Sequence, residues 1–258
     1  MKRKANRTLR SKFTAFQGIM LPFRLLWRLW FYLSIFIAIA ALFPFILIFS
    51  FKPAWYKYFF RFERIWAYIV LLLMGFIPVV KNRHLIRADR QYIITANHTS
   101  MIDIMMTLIA VPNVFLFIGK KELASYPLFG YFYRRTNILV DRKSLSSKKI
   151  VYWQAAEKIA QGYSVCIYPE GGVPDESIEL APFKIGAFKL AVETSTDILP
   201  ISFPDNKRHF SYNLFKGHPG ILKAIVHPPL EVSKLPYVTA DDLRDKTYSI
   251  ILSGIRKC

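Results

Sequence analysis

An unbroken run of 23 residues without a charged side chain, Leu29 to Phe51, constrains this chain more than any other feature. That length suffices for a helix crossing the hydrocarbon core of a bilayer. The run follows a leader, residues 1–28, with eight basic side chains (Lys2, Arg3, Lys4, Arg7, Arg10, Lys12, Arg24 and Arg28) and no acid. Its length and the lack of a small-residue cleavage site set it apart from a cleaved signal peptide. A second uncharged stretch, Ile65 to Val80, holds 16 residues and is short for a crossing. Pro44, Gly75 and Pro78 interrupt the two runs, so kinks are expected.

The linker between the runs decides the topology. It carries Lys52, Lys57, Arg61 and Arg64 against a single acid, Glu63. Two complete crossings would leave this basic loop on the outer face, against the tendency of Lys and Arg to stay cytoplasmic. A helical hairpin dipping into one leaflet keeps every basic flank on one side. It also brings Trp27, Trp30, Trp55, Tyr56, Tyr58 and Trp66 to headgroup level. The dipping hairpin is the preferred reading; true crossings and a buried pair of helices are the alternatives. Attraction of the leader to anionic headgroups adds about 1 kcal/mol per residue near the surface.

Composition agrees with a soluble body carrying a membrane-embedded piece. A hydrophobic content of 53% is high for a soluble domain, while 21% charged residues is too many for a polytopic membrane protein. The formal charge of +19 calls for an anionic partner: nucleic acid, an anionic lipid surface or a phosphorylated substrate. No zinc-finger, helix-turn-helix or RNA-recognition signature is visible, and the densest basic cluster abuts the apolar runs, which favours lipid over nucleic acid. The two cysteines, Cys166 and Cys258, suggest neither a disulfide framework nor a metal site, so a reducing compartment is expected.

Beyond Lys81 the texture changes. Candidate strands at 92–96, 114–118, 138–140, 164–168, 198–203 and 222–227 alternate with helix-like stretches at 104–110, 147–160, 184–193 and 240–257. This alternation predicts an α/β fold whose mainly parallel or mixed sheet is flanked by helices. The chain thus divides into 1–80, a basic leader with a membrane-associated helical hairpin, and 81–258, an α/β domain. Catalytic groups in such sheets gather at the carboxyl ends of strands.

One motif sits at such a strand end: Asn97-His98-Thr99-Ser100-Met101-Ile102-Asp103. A His five positions before an Asp is a weak signal alone. On a regular helix the two would point about 140° apart. They meet only if His98 lies in the turn and Asp103 on the first turn of the following helix. Ser100-x-x-Asp103 reads as a capping box starting that helix. Two readings follow: Asp103 merely caps, or it fixes the tautomer of His98, which acts as a general base on an alcohol. A hydrolase is disfavoured, because no G-x-S-x-G elbow appears.

Three further blocks stand in order. Gly119-Lys120-Lys121-Glu122-Leu123 leads to Pro127, Phe129 and Gly130, then to Ile138-Leu139-Val140-Asp141-Arg142. Tyr168-Pro169-Glu170-Gly171-Gly172 is followed by Pro182-Phe183-Lys184-Ile185-Gly186-Ala187, and Ile198-Leu199-Pro200-Ile201 closes the series. With the H-x4-D motif, these blocks resemble the 1-acylglycerol-3-phosphate (lysophosphatidate) acyltransferase family over most of 92–203.

The resemblance implies an enzyme that moves a fatty acyl group from acyl-CoA or acyl carrier protein to the free hydroxyl of 1-acylglycerol 3-phosphate, giving phosphatidate. It implies His98 as the base, Asp103 as its orienting partner, and no cofactor or metal. Lys120, Lys121 and Arg142 would surround a phosphate, Glu170 and Gly171 would shape the acceptor pocket with Pro200 on its wall, and Lys184 would add to substrate binding. It places the enzyme on the cytoplasmic face of the inner membrane, with membrane lipids, the lysophospholipid and the thioester carrier as partners. Bland readings stand beside these: the two lysines as a solvated strand end, Asp141-Arg142 as a structural ion pair, Gly171-Gly172 as a tight turn, Lys184 as a solvated residue opening a helix.

One departure bears on substrate. Where the family reads Pro-Glu-Gly-Thr-Arg, with an arginine thought to hold the acceptor phosphate, this chain has Gly172 and Val173, followed by Pro174, Asp175 and Glu176. Either Lys120, Lys121, Arg134, Arg135 or Arg142 replaces that arginine, or the acceptor is another lyso-lipid, such as a lyso-aminolipid. A non-catalytic lipid- or CoA-binding relative is the remaining alternative. Thr136-Asn137 stands where the family tends to place glycine, and Asn tolerates the left-handed conformation.

Overall fold

A computed structural model describes residues 2–126, 129–141, 144–214, 216–234 and 238–257 of the chain. Between Leu29 and Phe51 there is no glycine and a single proline, and the segment forms the last part of one long helix, α1 (Lys2–Ser50), which continues through Pro44. The stretch Leu21–Ser50 is long and apolar enough to cross a membrane, and only 17% of its most hydrophobic part is buried. Phe23, Leu29, Phe36 and Ile48 stand exposed along it. Apolar surface of that extent marks an interaction with something other than water.

The second apolar run behaves differently. Helix α2 (Tyr56–Leu73) carries a little over its first half, and strand β1 (Phe76–Lys81) carries the end. The break falls at Gly75, whose φ of +76° is open to glycine; an added Cβ would come within 3.0 Å of Pro219. Strand β1 straddles residue 80. α2 runs antiparallel to α1, with Phe62 stacked on Phe45 and Phe49 near one end. At the other end the indoles of Trp27 and Trp30 donate to the carbonyls of Met74 and Leu73. The α2 side chains Phe60, Ala67, Val70 and Leu71 are buried in the main core. Ile65–Val80 is therefore not a free apolar arm: half of α2 faces the domain.

Seven strands make one mixed sheet in the order β1-β7-β6-β2-β5-β3-β4. The strands are β2 (Tyr92–Ala96), β3 (Phe115–Lys120), β4 (Ile138–Val140), β5 (Ser164–Ile167), β6 (Asp197–Ser202) and β7 (Gly220–Val226). All neighbours pair in parallel except β6 and β7. Central strand β2 is buried on both faces. Its residues alternate between two cores: Tyr92, Ile94 and Ala96 face one, Ile93 the other. The first core holds α1, α2 and α3 (Ile102–Ala110); the second holds α5 (Leu145–Ala160), α6 (Gly186–Thr194) and α8 (Ala240–Arg256). Two short helices, α4 (Phe129–Thr136) and α7 (Asn206–Phe210), complete the order.

Arg64 ties α2 to the sheet side. Its guanidinium donates to the carbonyls of Leu108, Val111 and Pro112 at 2.9, 2.8 and 3.1 Å, at the end of α3 where carbonyls lack intrahelical partners. Arg64→Ala is expected to destabilise the fold by about 2–3 kcal/mol, because partly buried acceptors lose charged donors. Urea unfolding in detergent micelles measures this.

Candidate active site

The chain leaves β2 at Ala96 with parallel neighbours β5 and β6 on either side. From β2 it crosses by α3 to β3, beyond β5; from β5 it returns by α6 to β6 on the other side. Such a switch in direction opens a crevice at the carboxyl ends of the strands. Asn97 fastens the turn at this point: its amide donates to the Phe203 carbonyl at 3.1 Å and its oxygen accepts the Phe203 N–H at 2.8 Å.

His98 follows, and its Nδ1 lies 3.0 Å from Asp103 Oδ2. The same oxygen accepts the backbone N–H groups of Thr99 at 2.7 Å and Ser100 at 2.8 Å. Asp103 Oδ1 accepts from the Asn206 amide at 2.7 Å. The carboxylate is fully buried and the His98 side chain 14% exposed. One carboxylate thus holds both the backbone of the turn before α3 and the imidazole. The expected capping box forms only half. Ser100 Oγ donates to the Phe210 carbonyl instead of closing onto the backbone of Asp103.

Tyr168 lies flat against the imidazole, with ring centroids 4.2 Å apart and planes 17° from parallel. Its hydroxyl bonds Thr107 Oγ1 at 2.8 Å, and that hydroxyl in turn bonds the Asp103 carbonyl at 2.8 Å. Burial pushes the phenol well above its ordinary range. Glu170 reaches inward rather than into a pocket: Oε1 accepts the His98 N–H at 2.6 Å and Oε2 the Ala181 N–H at 2.9 Å. Burial raises its pKa, and those two hydrogen bonds offset the rise only in part. Gly171 has φ +74°, and a Cβ there would lie 2.4 Å from Lys184 Nζ, so the ammonium is packed directly over the turn. The Lys184 N–H donates to the Pro169 carbonyl at 2.8 Å.

Residues 78–204 match the acyltransferase family. That segment of the chain belongs to the family. A 1-acyl-sn-glycerol-3-phosphate acyltransferase of Borreliella burgdorferi is 26% identical over 176 residues, covering 68% of this chain and 70% of the relative. A lyso-ornithine lipid O-acyltransferase of Rhodobacter capsulatus is 26% identical over 184 residues, covering 63% of this chain and 65% of its own. Of four plant and algal relatives the chain spans 47–58% of the length. The crystal structure of a 1-acyl-sn-glycerophosphate acyltransferase from Thermotoga maritima superposes with a TM-score of 0.75 at 23% identity, over 93% of this chain and 97% of that one. That likeness speaks for the fold.

In this acyltransferase His98, Asp103, Glu170, Gly171 and Lys184 converge on one turn. Lys120 and Lys121 lie on the same rim, at the carboxyl end of β3 beyond β5; both are exposed, and Lys120 is 3.9 Å from Glu122. Arg142, like Pro127 and Cys258, lies outside the described residues. Arg134 donates to the Ala124 carbonyl, and Arg135 sits 3.7 Å above the Tyr131 ring. Asn137 does not use the left-handed conformation, which among the non-glycine described residues occurs at Asn82 and Ser195. Its amide bonds Tyr133 O and Thr136 Oγ1 instead.

Sequence reasoning missed Asn206 and Thr107. Both act through a partner remote in sequence or through a backbone carbonyl, and no spacing reveals that. Replacing Tyr168 separates its two tasks. Tyr168→Phe, which keeps the ring, is expected to cost about 1 kcal/mol. Tyr168→Ala, which opens a cavity beside the imidazole, costs about 3–5 kcal/mol. Thermal and urea melts of both variants test the difference.

Proposed function

We propose that this acyltransferase moves a fatty acyl group from a thioester carrier, acyl-CoA or acyl carrier protein, to the free hydroxyl of 1-acylglycerol 3-phosphate, giving phosphatidate. The single observation carrying this reading is the His98–Asp103 pair at 3.0 Å, seated at the crevice end of β2. With Nδ1 bonded to a buried carboxylate, the ring proton resides there and the lone pair falls on Nε2. Nε2 takes the proton from the attacking alcohol as oxygen bonds the thioester carbonyl carbon. The tetrahedral oxyanion then collapses, the carbon–sulfur bond breaks, and the imidazolium returns its proton to the thiolate. Asp103 stabilises the imidazolium between these steps, and Tyr168 keeps the ring plane fixed.

General-base help of this kind contributes about 10²–10⁴ in rate, and holding both substrates in line adds about 7–11 kcal/mol. Lys120, Lys121, Lys184 and Gly171 lie on the rim where the substrates meet. The exposed apolar side of α1 and the basic leader support anchoring to the inner membrane, with the α/β domain on the cytoplasmic face.

A second reading concerns the acceptor. Val173 in place of the family arginine and a relative named as a lyso-ornithine lipid O-acyltransferase favour an acceptor other than a phosphate monoester. A panel of lysophosphatidate, lysophosphatidylcholine, lysophosphatidylethanolamine and a lyso-aminolipid with one acyl donor decides between them. In the same assay His98→Ala is expected to lower turnover by at least about 10²-fold, with folding and liposome flotation unchanged. Near-normal turnover by that variant would remove the base assignment.

A further inference from the structure

Beside the catalytic turn lies a cavity of about 1060 Å³, lined by Asn97 and Thr99, the two residues flanking His98. Arg24 of α1, Lys207 and Arg208 of α7, and Lys216 of the following loop border the same space. Glu176 and Glu179 are its acidic members, so lining cations outnumber acids four to two. Glu179 is already held by Arg256 at 2.8 Å, and Glu176 faces Lys216 at 3.4 Å. The Thr99 hydroxyl is buried and has no hydrogen-bond partner among the described residues. Glu176 stands three residues past Val173, on the loop that carries the position where the family arginine is missing.

We infer that this cavity holds the phosphate of the acceptor, with Arg24, Lys207, Arg208 and Lys216 supplying the charge that residue 173 does not. The inference rests on the acyl-transfer reading above. Chemistry assigns the phosphate to the acceptor rather than the donor. In 1-acylglycerol 3-phosphate the phosphate ester is on the carbon next to the reacting hydroxyl, so it must lie close to the base. In acyl-CoA the phosphates stand a whole pantetheine arm from the thioester. Lys207 now donates to the Ile178 carbonyl at 2.7 Å, and Arg208 to Asp205 at 3.0 Å. Each retains further donors for a phosphate oxygen. Glu176 competes with the phosphate for Lys216.

The test compares the full-length enzyme in detergent with three variants: the double change Lys207→Gln with Arg208→Gln, Lys216→Gln on its separate loop, and Glu176→Gln. Loss of charged hydrogen bonds is expected to raise KM for 1-acylglycerol 3-phosphate about tenfold or more in the first two. KM for the acyl thioester stays unchanged, and Glu176→Gln lowers the acceptor KM. If the donor KM rises instead, or neither moves in the well-folded variants, the inference is overturned. Titration with glycerol 3-phosphate reads the cavity without turnover. Binding that weakens about tenfold in the cationic variants upholds it; wild-type protein that does not bind, or variants that bind equally, refute it. An enzyme that binds glycerol 3-phosphate in this manner yet acylates no lyso-lipid sinks the acyl-transfer reading and leaves the cavity assignment standing.

Discussion

Four hydrogen bonds converge on the carboxylate of Asp103: one from the His98 ring, two from the backbone of Thr99 and Ser100, one from Asn206. A fully buried charge is tolerated only when so supplied. Each partner also fixes something else. The backbone donors set the turn leaving β2 and the first turn of α3. The amide brings α7 against the site. The imidazole receives its tautomer and direction. The turn after β2, the orientation of the His98 ring and the docking of a remote helix all depend on the hydrogen bonds of one side chain.

Much of this was legible in the chain. Strands 92–96 and 138–140 fall where short β-rich runs place them, and the helices near 147–160 and 240–257 shift by at most two residues. The His98 to Asp103 spacing, incompatible with one continuous helix, forces a turn followed by a helix, and that turn is what forms. Three things escaped. Strand β1 hides in an apolar run because a buried strand and a helix arm share composition, and only Gly75 marks the change. Glu170 reads as a pocket acid, yet both its oxygens are taken by backbone N–H groups of residues 72 and 11 positions away in sequence. The cationic cavity draws on α1, α7 and the loop after it, and no linear motif joins those.

The two N-terminal helices divide their labour. α1 leaves most of its apolar side uncovered, while α2 spends Phe59, Phe60, Ala67, Val70 and Leu71 inside. α1 is nonetheless tied to the domain. Arg28 donates to the carbonyls of Asn213 and Lys216 at 2.9 and 2.7 Å and lies 3.9 Å over the Phe210 ring. The Phe210 carbonyl in turn accepts from Ser100 in the turn after β2. Two residues, Arg28 and Phe210, thus stand between the exposed helix and the turn that carries His98.

The double grip of Glu170 has a bearing on redesign. One oxygen holds the turn after β2 and the other holds residue 181, within the loop 171–185. The segment 171–180 thus starts and finishes against a single side chain, which helps to fix the spacing of its two ends. Segments transplanted from relatives to change headgroup choice can vary freely in the middle, provided the glutamate and both amide donors travel with the scaffold.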